Sequence, residues 1–235
     1  MKLGPYLLGP NETPENGIYT GDAMELAESI PDESVDLIFT DPVYREIDHY
    51  RWLAKMAARV LKQDTACLAW YGGPAIAAVQ SAMADYLRWT WQLNYTVPAK
   101  PNKLIGYNIF TWTTPCLWYR KGKGFPKQRI PDTFISTARP ATAFKWNKNP
   151  AVIRRWCAAF TDEAAIILDP FSGSGTLPAA CKQLGRHCLA FEIDPVTAEL
   201  ARERVRNTQP PLFIPDAAAE QFVLDISEAQ DKGER

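Results

Sequence analysis

Residues 164–194 read AAIILDPFSGSGTLPAACKQLGRHCLAFEID, and this stretch decides the fold. The apolar run 164–169 has the length and residue types of a buried parallel strand. It ends at Asp169-Pro170 and gives way to Phe171-Ser172-Gly173-Ser174-Gly175-Thr176. Glycines here let the backbone approach a ligand closely. The helix predicted over Thr176–Leu184, closed by Gly185, turns free N–H groups toward the same place. A second strand, 187–193, carries Glu192 about 20 residues beyond the glycines, where an acid suits the two hydroxyls of a ribose. Strand, glycine loop, helix, strand and distal acid predict one unit of a parallel sheet built around a nucleoside site.

The same alternation runs outward in both directions. Ser34–Thr40 is a short apolar strand ending at Asp41-Pro42; residues 48–62 place Tyr50, Leu53, Met56, Ala57, Val60 and Leu61 on one helical face. Residues 66–71, 88–97 and 111–119 read as strands, 74–87, 150–160 and 195–206 as helices, and 98–110 and 120–149 as basic loops. The expectation is one doubly wound, mostly parallel α/β sheet in a single domain, residues 1–215. Within it, 1–93 form a first half, 94–149 a small basic insert and 150–215 a nucleoside-binding half; 216–235 form an acidic tail.

The ligand class narrows by exclusion. The dinucleotide pattern Gly-x-Gly-x-x-Gly/Ala fails at Pro178, which removes a nicotinamide-linked oxidoreductase, and no Gly-Lys-Ser/Thr follows for a triphosphate. An Asp before Gly-x-Gly suits a ligand with a cationic end, as the sulfonium and ammonium of S-adenosyl-L-methionine provide. A second constellation, Asp41-Pro42-Val43-Tyr44, closes the 34–40 strand, and strand ends line the crevice of such sheets. A carboxylate and a proline carbonyl can each accept an N–H of an exocyclic amine, while Tyr44 stacks on its ring.

Together these segments resemble the amino-DNA methyltransferases, which methylate N6 of adenine or N4 of cytosine. GDAMELAESIPDESVDLIFTDPVY (21–44) is similar to their catalytic block and residues 149–195 to their cofactor block, in the permuted order of the β group. The resemblance implies a Rossmann-like methyltransferase fold and roles for individual residues. Asp41, Pro42 and Tyr44 would hold the target base. Phe171, Gly173, Ser174, Gly175 and Thr176 would surround the methionine part of the cofactor, and Asp169 would face its charged end. Glu192 would bind the ribose, with Asp194 as second choice, and Asp22 would lie near the adenine. Lys148-Asn149-Pro150 would close over the methionine. The family usually has a second proline where Val43 stands, so a looser loop and slower turnover are expected. An initial Asp suits adenine; cytosine-N4 enzymes more often carry Ser there. A cytosine-N4 enzyme and a catalytically silent nucleic-acid-binding relative are the alternatives.

Composition supports a globular chain: 46% hydrophobic and 23% charged residues over 235 positions. The net charge of −1 conceals a region, 94–156, with 12 basic side chains and one acid, Asp132. Lys100, Lys103, Arg120, Lys121, Lys123, Lys127, Arg129 and Arg139 are interleaved there with Tyr107, Trp112, Trp118, Phe125 and Phe134, a pairing that suits phosphates and displaced bases. Duplex DNA with a flipped base is the expected partner, for a monomer or homodimer. Five cysteines without metal-ligand spacing, and two histidines distant from them, argue against structural zinc or a disulfide framework. Pro115-Cys116 imitates a nucleophile of other methyltransferases but is expected to be a buried strand residue. His49 is expected on an exposed helix. With no secretory leader and no membrane-length apolar run, the expectation is a cytoplasmic protein of a bacterium or phage that needs no metal.

Overall fold

The computed structural model describes residues 1–9, 17–98, 101–104, 107–136 and 148–210. In chain order the strands are β1 (Lys2–Leu3), β2 (Tyr6–Leu7), β3 (Ile18–Thr20), β4 (Val35–Thr40), β5 (Leu61–Trp70), β6 (Arg88–Thr96), β7 (Asn102–Leu104), β8 (Ile109–Thr111), β9 (Thr113–Arg120), β10 (Thr133–Ile135), β11 (Ile166–Asp169) and β12 (His187–Glu192). The α-helices are α1 (Ala23–Leu26), α2 (Ile47–Val60), α3 (Ile76–Ala84), α4 (Pro150–Phe160), α5 (Thr176–Leu184) and α6 (Pro195–Asn207). Eight strands form one sheet in the order β10-β6-β9-β5-β4-β11-β12-β3. Every neighbouring pair is parallel except the two made by β9, which runs against β5 and β6.

Successive side chains of a strand point to opposite faces, and β4 divides accordingly. Ile38 joins the cluster formed with Tyr50, Leu53 and Val79 of α2 and α3, whereas Leu37 and Phe39 join the one formed with Val152, Trp156, Cys181 and Ala201 of α4, α5 and α6. The helix starts follow local chemistry. The Asn149 side chain accepts the Ala151 N–H at 2.8 Å ahead of Pro150, and Asp194 accepts the Thr197 N–H at 2.9 Å ahead of Pro195. Gly185, at φ +66°, closes α5 in the left-handed conformation that glycine adopts without strain.

The mostly parallel, doubly wound sheet is as expected. From β4 the chain builds toward β5, β9 and β6; from β11 it builds the other way toward β12. The order therefore reverses between β4 and β11, which places the crevice of the sheet there. Details differ. The helix expected to run to residue 62 ends at Val60, because Leu61 already pairs with Val35 in the sheet. Residues 94–149, expected as an insert with basic loops, supply β9, β10 and the end of β6 to the central sheet, and only the hairpin β7–β8 stands apart from it. β3, β7, β8 and β10 are three residues each, too short for periodicity to reveal. The expected tail, 216–235, lies outside the described residues.

Candidate active site

At the switch point, β4 and β11 present their last residues side by side. Thr40 donates its hydroxyl to Oδ1 of Asp169 at 2.7 Å, a buried bond between residues 129 apart in sequence. The Phe171 N–H donates to the same oxygen at 3.2 Å. Above this pair opens a cleft of about 280 Å³. Phe39, Trp70, Ile153 and Leu177 line it with apolar surface; Asp41, Lys148, Asp169, Ser174 and Thr197 are among its polar residues.

Burial dominates the electrostatics of Asp169. Desolvation pushes its carboxyl up to about 7, assisted by the charges of Asp41 and Glu192 and opposed by the two hydrogen bonds just named. Burial and the neighbouring Asp41 carboxylate likewise hold the Tyr44 hydroxyl protonated, far above its ordinary value. The glycine loop is open on the cleft side: a Cβ on Gly173, at φ +51°, would meet nothing within 4 Å. Gly175, at φ +76°, is tight instead, since a Cβ there would lie 2.9 Å from the Ala201 Cα. Glu192 ties the loop to the end of β12, its carboxylate accepting the Gly173 N–H at 2.9 Å and the Asp194 N–H at 3.0 Å.

The structure thus brings Asp41, Lys148, Asp169, Phe171, Gly173, Ser174 and Thr176 to one cleft. Asp22 lies beyond β12, where Gly21 donates to the Glu192 carbonyl; its side chain caps α1 on the Met24 N–H at 2.8 Å. Pro42 is buried, and Val43, 54% exposed, projects from the loop. Tyr44 sits behind Lys148, whose Nζ donates to Asp41 Oδ2 at 2.7 Å and to the Tyr44 hydroxyl at 2.9 Å. Lys148, expected over the methionine, lines the cleft with the glycine loop and reaches across it to Asp41.

Several residues escaped the sequence reading. His49 is not a bystander on an exposed helix; it stacks on Phe171 at 5.3 Å while Trp52 meets the same ring edge-on at 5.8 Å, so α2 fixes the cleft wall. Gly72 backs Tyr44, as a Cβ there would lie 2.5 Å from its ring. Cys116 is fully buried, and desolvation raises its thiol well above the ordinary range, which removes it as a thiolate nucleophile. All five cysteines are free and buried, and no cluster suited to a metal ion exists among the described residues. No helix among them is long and apolar enough to cross a membrane.

The basic residues separate into two groups. β9 runs downward from the cleft: Cys116 lies opposite Trp70 and Arg120 opposite Ala66, four residues, or about 14 Å, farther from the site. Arg120 stacks on Phe125 and bonds Thr90. Lys121 bonds Glu33 and the Leu61 carbonyl, and Lys127 pairs with Asp162. Lys123 follows in the turn held by Asp64. These lie toward the opposite end of the sheet, with Arg129 exposed on the segment leading back to β10. Lys103 instead belongs to the β7–β8 hairpin, which leaves the sheet at the cleft end, where Val97 bonds the Trp112 carbonyl. That hairpin and its exit expose Tyr107, Ile109, Phe110 and Trp112. Lys100 and Arg139 lie outside the described residues.

A doubly wound sheet with a glycine loop, a buried acid and an acidic strand end at its switch point has the architecture of the Rossmann-like methyltransferases. Residues 111–203 match the family model described as a DNA methylase. The chain is 27% identical to the type II methyltransferase M.BamHI of Bacillus amyloliquefaciens over 249 aligned positions, 81% of this chain and 57% of that protein. It therefore spans little more than half the length of that relative. In fold it is similar to the M1.HpyAVI–SAM complex (TM-score 0.69, 23% identity, 80% of this chain and 98% of that one) and to the cytosine-N4-specific PvuII DNA methyltransferase (TM-score 0.69, 18% identity, 80% and 85%). These matches bear out the resemblance carried by the motifs: the chain is similar to the amino-DNA methyltransferases.

Proposed function

We propose that this protein is a site-specific DNA methyltransferase that moves a methyl group from S-adenosyl-L-methionine to N6 of adenine. The observation that carries the reading is the Thr40–Asp169 bond, which joins the strand end bearing Asp41 to the strand end bearing the glycine loop. The two motifs thereby face one cleft. Asp-Pro-x-Tyr with an initial Asp favours adenine over cytosine.

The residues fit the cofactor. A buried carboxylate without a cation is costly, and Asp169 suits a ligand that brings one. The open space at Gly173 and the N-terminus of α5 suit close backbone approach by Ser172–Thr176. Each Glu192 oxygen takes one backbone N–H and keeps capacity for a ribose hydroxyl. Asp22 would lie toward the adenine, with Asp194 as a second acid beside Glu192. The bound cofactor supplies an electrophilic methyl group. An exocyclic amine is a weak nucleophile because its lone pair is delocalised into the ring. Asp41 and the Pro42 carbonyl would accept its two N–H groups and aim the lone pair, while Tyr44 stacks on a base that has left the duplex.

The test is incubation with plasmid DNA and labelled cofactor, then nucleoside digestion and mass spectrometry. N6-methyladenine is expected. N4-methylcytosine would move the reading to the other amine, and no methylated nucleoside would leave a silent nucleic-acid-binding relative.

Cofactor binding should depend on Asp169 ionisation. The carboxyl titrates at about 7 in the folded protein against 3.8 ordinarily. In the free protein its contribution to stability is therefore full below about pH 4 and lost as pH rises through 7. A cationic ligand reverses that preference. Affinity for S-adenosylhomocysteine, measured calorimetrically, should fall by up to about tenfold per pH unit below 7, and Asp169→Asn should flatten the profile. A flat wild-type profile would remove Asp169 from the cofactor site.

DNA should approach the cleft end of the sheet, through Lys103, the exposed Arg45 beside Tyr44, and the aromatic hairpin. Neutralising Arg45 and Lys103 should reduce the slope of log affinity against log salt by about one per lost phosphate contact. Neutralising Lys121, Lys123 and Lys127 should change it far less. The opposite ranking would place the duplex at the far end of the sheet.

A further inference from the structure

Lys148 sits at an unusual junction. Its ammonium bonds Asp41 Oδ2 and the Tyr44 hydroxyl and lies over two rings, 5.5 Å from the centroid of Tyr44 and 5.2 Å from that of Trp70. The other Asp41 oxygen, Oδ1, is buried and has no hydrogen-bond partner among the described residues. An amine approaching Asp41 thus meets one oxygen already taken by a cation and another closed off. The space over the aromatic rings, which a stacked base would need, is occupied as well.

Lys148 also lines the cofactor side. It is the only lysine or arginine among the described residues of the cleft, which holds the acids Asp41 and Asp169. A carboxylate entering that acidic cleft needs a cation, and the methionine part of the cofactor carries one such carboxylate. The Lys148 backbone is anchored, because the next residue, Asn149, caps α4 and donates to Ser136 at 2.9 Å. Its four-carbon side chain can therefore reorient without moving the helix.

We propose that Lys148 couples the two subsites. In the free protein its ammonium occupies Asp41; the cofactor carboxylate draws it away and leaves Asp41 to accept the base amine. This rests on the methyltransferase reading above. One ammonium shared between two anionic sites makes each ligand favour the other, and such coupling is reciprocal. Lys148 is a positioning residue here, acting on the base through Asp41.

The experiment measures affinity for a duplex carrying the unmethylated target adenine, with 2-aminopurine in the adjacent position reporting base extrusion. Two ligands are compared: S-adenosylhomocysteine, and 5′-methylthioadenosine, which keeps the nucleoside and thioether but lacks the amino-acid end. In the wild type, S-adenosylhomocysteine should tighten DNA binding between about 5- and 150-fold, and 5′-methylthioadenosine should leave it within about twofold. In Lys148→Met the two ligands should become equivalent, with tighter DNA binding in the absence of ligand. Lys148→Arg should retain the coupling. If Lys148→Met does not fold, the two-ligand comparison on the wild type decides alone. Equal tightening by both ligands in the wild type, or undiminished coupling in Lys148→Met, would overturn the proposal while leaving methyl transfer intact. Absence of any methylated nucleoside would overturn the methyltransferase reading, and this inference with it.

Discussion

Asp41→Ala should reduce methyl transfer by at least about 10²- to 10³-fold, the loss typical of removing one preorganised charged or hydrogen-bonding group from a reacting centre. Cofactor affinity should hold or rise. The separation of the two effects follows from the geometry. Asp41 leaves β4 at the top of the cleft, whereas the glycine loop, Asp169 and Glu192 belong to β11, its loop and β12. The fold should be unharmed, because the Asp41 side chain is one-third exposed and, among the described residues, pairs with Lys148 alone. Loss of that pair leaves Lys148 free for the cofactor carboxylate, which is why affinity should rise rather than fall. Single-turnover transfer and a calorimetric cofactor titration check both halves. Transfer within tenfold of wild type would remove Asp41 from the reacting centre. Cofactor binding lost alongside transfer would mean that Asp41 serves the cofactor instead.

How much of this was legible in the sequence depends on the range over which each feature is encoded. The runs VDLIFT (35–40) and IILD (166–169) announce buried parallel strands by themselves, and Asp-Pro-Phe-Ser-Gly-Ser-Gly-Thr announces the loop, because strand, turn and helix start lie within a dozen residues. Their meeting at one cleft follows from the sheet order. The placement of Lys148 does not: it reaches Asp41 across 107 residues, a contact no local pattern encodes. Gly72-Gly73-Pro74 reads as the stop of a strand, and only the packed structure shows Tyr44 lying against Gly72.

The charge distribution shows what chain order alone conceals. Counting along the chain correctly found a region with one acid among 63 residues, but a sheet does not keep its charges where the chain order puts them. Within the central sheet β9 runs against both of its neighbours, so the lysines that follow it emerge at the end opposite to the hairpin that precedes it. Two groups adjacent in sequence are thereby separated by the length of a strand. Lys121 and Lys127 then find acids at that far end, Glu33 and Asp162, which compensates charge that the sequence leaves unassigned.

Gly72→Ala should cost roughly 5- to 150-fold in affinity for the extruded base, equivalent to the ~1–3 kcal/mol of one base–aromatic stack, with little loss of stability. The backbone there is not in the left-handed region, so alanine imposes no conformational strain. The obstruction is the Tyr44 ring: a Cβ would lie 2.5 Å from Cε2, 2.9 Å from Cδ2 and 3.3 Å from Cζ. The two contacts under 3.0 Å cannot persist, and the ring is the part able to move. Displacing it also pulls the Tyr44 hydroxyl from Lys148 and opens the 6.2 Å contact with Tyr71. A double-mutant cycle isolates the cause. If Gly72 acts by seating Tyr44, then Gly72→Ala should be nearly silent in a Tyr44→Ala background, since the atoms it collides with are gone. Additive losses measured with 2-aminopurine DNA would show instead that Gly72 touches the base itself. An unchanged affinity in the single variant would show that the Tyr44 ring does not stack on the base in its present seat.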